Sequence, residues 1–151
     1  MSVEGESRES GEFGDVQDHS LRYERCLRLA NEPASVKAAR DAVAAALQAT
    51  GWPEHTIDMA RVVTSELATN AIIHAGTAFE LRVSIDGTAV IAVEDGAGTE
   101  APRLAEKGHS RPGGMGLYLV EAMCAEWGVE QRSDGKVVWA RLDRYHSDPG
   151  A

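Results

Sequence analysis

The chain has 151 residues, 43% hydrophobic and 26% charged, which suffices for one buried core and falls short of two ordinary domains. Its formal net charge is −9, and residues 1–20 hold six acids against the single base Arg8. A direct nucleic-acid binder needs a basic footprint, which this balance excludes, and no apolar run reaches the roughly 18 residues of a membrane span.

Met1 to about Ser20 is rich in Glu, Ser, Gly and Asp and reads as a disordered acidic tail, because it cannot bury enough apolar surface to offset the entropy of ordering. Leu21 to Ala30 alternates loosely, Tyr23, Leu27 and Leu29 against Arg22, Glu24 and Arg28, as a first strand does. Asn31-Glu32-Pro33 ends it. Ser35 to Ala49 carries Val36, Ala39, Val43, Ala46 and Leu47 at helical spacing, with Gly51 placed as a C-terminal cap. Pro53 precedes a longer helix over 54–74, which Gly76 stops. Phe79, Leu81, Val83 and Ile85 then alternate with Glu80, Arg82 and Ser84 in the period of a half-buried strand. Asp86-Gly87 is a tight turn into a second, more deeply buried strand, Ala89 to Val93.

Residues 99–112 lack a period and contain Pro102, Gly108 and Pro112, so they read as a loop. Gly114 or Gly116 opens a helix whose apolar positions Leu117, Val120, Met123, Cys124 and Trp127 run to Gly128. Val129 to Arg132, the turn Ser133-Asp134-Gly135, and Val137 to Leu142 make a closing hairpin, and 146–151 fray. The expected organisation is a tail over 1–20, one domain over 21–145 and a short tail over 146–151. Its order of strand, helix, helix, hairpin, loop, helix, hairpin predicts a two-layer α/β sandwich, with a mixed, mostly antiparallel sheet and helices on one face. Cys26 and Cys124 have no second soft ligand at metal-binding spacing and read as free thiols. The acidic start lacks the basic and apolar regions of a signal peptide, so a cytoplasmic location is expected.

The long helix carries the chemistry. Glu66, Asn70 and His74 fall at i, i+4 and i+8 and stack on successive turns of one face, beside the apolar stripe of Val63, Leu67 and Ala71. An amide oxygen is a hard ligand for a hydrated divalent cation, and a carboxylate one turn away can orient or deprotonate a nucleophile. The same spacing also describes the solvated side of an amphipathic helix. Two further segments add weight: Asp95-Gly96-Ala97-Gly98 after an apolar strand, and Gly113-Gly114-Met115-Gly116-Leu117 at the opening of a helix. Residues without Cβ let backbone amides approach anionic oxygens, and a helix start adds a favourable partial charge.

The E-x-x-x-N-A-x-x-H pattern of Glu66, Asn70, Ala71 and His74, followed in order by the other two boxes, resembles the GHKL nucleotide-binding superfamily with its Bergerat fold. The wording Ser65-Glu66-Leu67-Ala68-Thr69-Asn70-Ala71 is similar to that of the anti-sigma factor serine kinases and their stand-alone ATP-binding relatives. The resemblance spans about Leu27 to Leu142 and implies ATP and Mg²⁺ as cofactors. It implies Asn70 as the Mg²⁺ ligand, Glu66 as general base, and Asp95 as acceptor for the adenine exocyclic amine. Gly96, Gly98, Gly114, Met115, Gly116 and Leu117 would line the nucleotide. His74 is either a further contact or a dipole-compatible cap near the helix end, and Arg111, with Lys107 behind it, is a candidate for the γ-phosphate. The chain departs from the usual D-x-G-x-G box, having Ala97 and Thr99 where the later glycines belong. Either the loop is shifted by one residue or the backbone approaches the base less closely.

The function so implied is a serine/threonine kinase that sequesters a sigma factor and phosphorylates an anti-anti-sigma (STAS-type) partner, with homodimerisation expected by analogy. The alternative is a binding module, sensing ATP or indifferent to it, that sequesters a regulator without catalysis. A gyrase-type ATPase fragment is a third reading, weakened because no transducer region follows.

Overall fold

Period-two burial builds the sheet. In Phe79–Asp86 and Thr88–Asp95 every second residue is buried, so each strand turns one apolar face inward and a mixed face outward. The computed structural model describes residues 6–8, 22–96 and 114–145. Its elements are β1 (Glu6–Arg8), β2 (Tyr23–Leu29), α1 (Ala34–Ala49), α2 (Glu54–Ala75), β3 (Phe79–Asp86), β4 (Thr88–Asp95), α3 (Gly114–Met123), β5 (Glu126–Arg132) and β6 (Gly135–Asp143). The strands form one sheet in the order β1-β2-β3-β4-β6-β5. α1 packs against β2 and β3, while α2 packs against α1, β4, β6 and α3. The core lies between these helices and the inward residues Leu27, Leu81, Val83, Ile91, Val93, Val138 and Ala140. The expected two-layer α/β sandwich is thus the architecture.

Three details differ from the sequence reading. Every strand pairing among the described residues is antiparallel, so the sheet is not mixed. Its closing strands form a hairpin inserted by way of β6, which runs antiparallel to β4 and leaves β5 at the edge. α3 ends at Met123, not near Gly128, and Trp127 and Gly128 belong to β5. Trp127 satisfies a helical period and a strand period equally, and pairing with Ala140 decides for the strand. Within the expected tail, Glu6–Arg8 pairs with Glu24 to Cys26. An open strand edge offers unpaired amides and carbonyls, so three residues can add to it without burying a core of their own.

The caps fix where the helices stop. α1 closes in a Schellman motif: Trp52 N–H donates to the Leu47 carbonyl at 3.0 Å, Gly51 N–H donates to Gln48 at 3.2 Å, and Gly51 takes φ +74°. Arg144, just past β6, donates to the Gly51 and Thr50 carbonyls and stacks 5.0 Å over Trp52, tying the α1–α2 corner to the end of the sheet. Gly76 ends α2 in the left-handed region at φ +69°. Asn31 then holds that terminus by donating its side-chain amide to the carbonyls of Ile72 and Thr77, at 3.3 and 3.1 Å. The last turn of α2, which carries His74, is therefore anchored to the loop after β2.

Candidate functional site

α2 presents Glu66, Asn70 and His74 along one face as the spacing required, with three different environments. Asn70 is buried at 8% exposure, yet no hydrogen bond among the described residues takes up its side-chain amide. Its amide atoms are not among the fully buried ones that lack a partner, so they keep an opening through which water or a ligand can satisfy them. Glu66, one turn earlier, is half-buried, and desolvation by its surroundings raises its carboxyl above the ordinary glutamate range. No ion pair among the described residues reaches it: Arg61, the nearest candidate in sequence, pairs with Asp58 at 2.7 Å and with Glu54 at 3.8 Å. His74 is exposed in the last turn.

Asp95 closes β4 on the inward face, in register with Phe79 of β3 and Lys136 of β6. Because α2 packs against both β4 and α3, the helix bearing Asn70 lies beside the strand that ends in Asp95 and the helix that begins at Gly114. Gly114, Met115, Gly116 and Leu117 form the first turn of α3, where backbone amides lack intrahelical partners. Gly96 is exposed and donates its N–H to Thr77 Oγ1 at 3.4 Å. Gly98, Arg111 and Lys107 lie outside the described residues.

One residue escaped the sequence reading. Lys136 Nζ donates to both carboxylate oxygens of Asp95, at 3.3 Å to Oδ1 and 3.0 Å to Oδ2. The side chains are 2% and 1% exposed. The signal was present in the alternation, since Lys136 is in phase with Val138, Ala140 and Leu142, which all face the core. Gly135 explains how the strands come so close: a Cβ there would stand 2.0 Å from the Asp95 carbonyl oxygen.

A cavity of about 250 Å³ opens at this end of the sheet, lined by Arg28, Thr77, Glu80, Glu94, Gly96 and Asp134 together with Asp95. Four carboxylates to one guanidinium suit it poorly to a polyphosphate, and no residue of α2 lines it.

A family model for the histidine kinase-like ATPase domain matches residues 29–142. The chain belongs to this family. The GHKL resemblance drawn from the three boxes is borne out. Among solved structures, this histidine kinase-like domain is similar to a structure of the RsbU and RsbW domains of Rv1364c from Mycobacterium tuberculosis, with TM-score 0.59 and 16% identity. The likeness covers 82% of this chain and 35% of that one, so the chain spans about a third of its length, and at this identity the likeness speaks to the fold. Comparison with curated proteins gives no match. No helix among the described residues is long and apolar enough to cross a membrane.

The residues of α2 fit the cofactors that the family implies. A neutral amide oxygen suits Mg²⁺, which keeps several waters and takes most of its negative ligands from phosphate. Asn70 would supply such an oxygen from a largely buried position, where no hydrogen bond among the described residues takes it up.

Proposed function

We propose that the chain is an ATP-dependent serine/threonine protein kinase of the anti-sigma type, which sequesters a sigma factor and phosphorylates a small anti-anti-sigma partner. The carrying observation is the pairing on α2 of a largely buried Asn70, whose amide no hydrogen bond among the described residues takes up, with a half-buried Glu66 whose carboxyl is raised by desolvation. The wording of the first box and the structural likeness to a chain with an RsbW domain support the kind of kinase.

In this reading Asn70 holds Mg²⁺, which supplies charge neutralisation of the triphosphate. Glu66 accepts the proton of the partner's serine hydroxyl as that oxygen attacks the γ-phosphorus. The bond from the γ-phosphorus to the β–γ bridging oxygen breaks and ADP departs. Desolvation makes the Glu66 carboxylate a stronger base than an exposed glutamate. The backbone amides at the start of α3 face developing negative charge with the favourable end of the helix.

A second reading, a regulator that binds its partner without nucleotide, is favoured by one observation: the carboxylate expected to receive the adenine amine is engaged by Lys136. A phosphotransfer assay with Glu66→Gln separates the two. Transfer by the unmutated chain that disappears in the variant, with ATP binding retained, supports the kinase. Absence of transfer to any candidate partner by the unmutated chain supports the binding module.

A further inference from the structure

We propose that Lys136 is an internal competitor for the nucleotide base: its ammonium occupies the position on Asp95 that an exocyclic amine would take, so the base binds without the amine being read. The inference rests on the nucleotide-binding reading above.

The argument begins with donors and acceptors. An ionised carboxylate offers only acceptors, and the amine at position 6 of adenine offers only donors, so Asp95 alone would select adenine. The ammonium of Lys136 is a donor as well, and it carries a full charge. It reaches both oxygens of Asp95, at 3.0 and 3.3 Å. Charge-assisted bonds of this kind are about twice as strong as neutral ones, so a neutral amine cannot displace the ammonium on equal terms. The ammonium has nowhere to go. Its side chain is 2% exposed, and the β4–β6 ladder pins its backbone opposite Asp95, with Gly135 packed against the carbonyl of the same residue. Pulling Lys136 away would separate a buried ammonium from the carboxylate that balances its charge, which is far dearer than forgoing one hydrogen bond to a base.

The consequence concerns base selectivity. A site that reads a polar group on its ligand rejects analogues lacking it, because its own buried acceptor is then left unpaired. Here Asp95 is satisfied with or without the nucleotide. The amine is therefore not required for binding.

The full chain tests this by isothermal titration with Mg²⁺ and two probes: the β,γ-imido analogue of ATP, and the corresponding purine-riboside analogue, which lacks the 6-amine. The unmutated protein is expected to bind the two within threefold of each other. Lys136→Met, which keeps the length of the stem and removes the charge, is expected to bind the ATP analogue at least tenfold more tightly and to prefer it at least tenfold over the amine-free probe. A tenfold preference for the ATP analogue by the unmutated protein overturns the inference and leaves the kinase reading standing. So does an unchanged or weakened affinity in folded Lys136→Met. Failure of both proteins to bind either probe at millimolar concentration overturns the inference and the nucleotide-binding reading together. The comparison of probes on the unmutated protein decides the matter even where the variant does not fold.

Discussion

Replacing Lys136 by Met, Asp95 by Leu, and both together tests how tightly the end of β4 is tied to β6. With Nζ and Oδ2 3.0 Å apart and an effective dielectric near 20, the attraction is about 5 kcal/mol. Desolvating the two ions costs several kcal/mol each, so the pair contributes little net stability compared with an apolar pair of similar volume. The single changes are different, because each leaves one charge buried at about 1–2% exposure without its partner. Either single variant should lose about 3–5 kcal/mol, while the double variant should stand within about 1 kcal/mol of the unmutated protein. The coupling energy expected from the cycle is then about 5 kcal/mol or more, above the usual range for residues in contact. Urea unfolding followed by far-ultraviolet circular dichroism at neutral pH measures all four proteins. Against a typical domain stability of about 5–15 kcal/mol, the single variants would be visibly marginal. Single losses below about 1 kcal/mol that add in the double variant would refute the buried, reciprocal pair, because such values belong to solvent-exposed ion pairs.

Glu66→Gln should lower phosphotransfer by about 10²–10⁴-fold without loss of fold, as read by single-turnover transfer to the partner protein. In the unmutated chain the rate should fall as pH drops through a midpoint above the ordinary glutamate value, because desolvation raises the Glu66 carboxyl. The sign for stability is opposite to that of a salt-bridged acid. A folded-state value above the unfolded one contributes stability fully present below the unfolded value and lost as pH rises through the folded one. Glu66→Gln should therefore be more stable than the unmutated protein at neutral pH, and urea midpoints measured toward acid should converge. Asn70→Ala should remove Mg²⁺-dependent nucleotide affinity in titrations while leaving the melting temperature unchanged or raised, because no hydrogen bond among the described residues is lost with the amide. Gly135→Ala forces a Cβ to within 2.0 Å of the Asp95 carbonyl, so the ladder must part, and a loss of about 3 kcal/mol or more is expected by thermal unfolding.

Much of the fold was legible because its elements differ in period. Alternation through Phe79 to Ile85 and the Asp86-Gly87 turn locate β3 and β4 to within a residue or two, and Gly51 and Gly76 mark the ends of α1 and α2 where left-handed backbone is needed. The stretch around Trp127 was illegible for the opposite reason. A bulky residue after a helix satisfies both periods, and only the cross-strand partner Ala140 distinguishes them. β1 was illegible because pairing at an open edge draws on backbone groups, which leave no mark in composition.

The candidate site divides along the same line. Glu66, Asn70 and His74 lie within three turns of one helix, so their relation follows from sequence spacing alone. Asp95 and Lys136 are 41 positions apart and meet only through strand register, which a single sequence does not contain. Yet the phase of Lys136 with Val138, Ala140 and Leu142 places an ammonium on a buried face, and a buried ammonium demands a carboxylate. Of the two acids ending β4, Glu94 shares the outward face with Arg132, 3.5 Å away, and only Asp95 turns inward. Once β4 and β6 are known to pair, parity assigns the partner. A carboxylate so assigned is committed to the fold before any ligand arrives, and that is why the same residue cannot also serve as an unencumbered reader of the base.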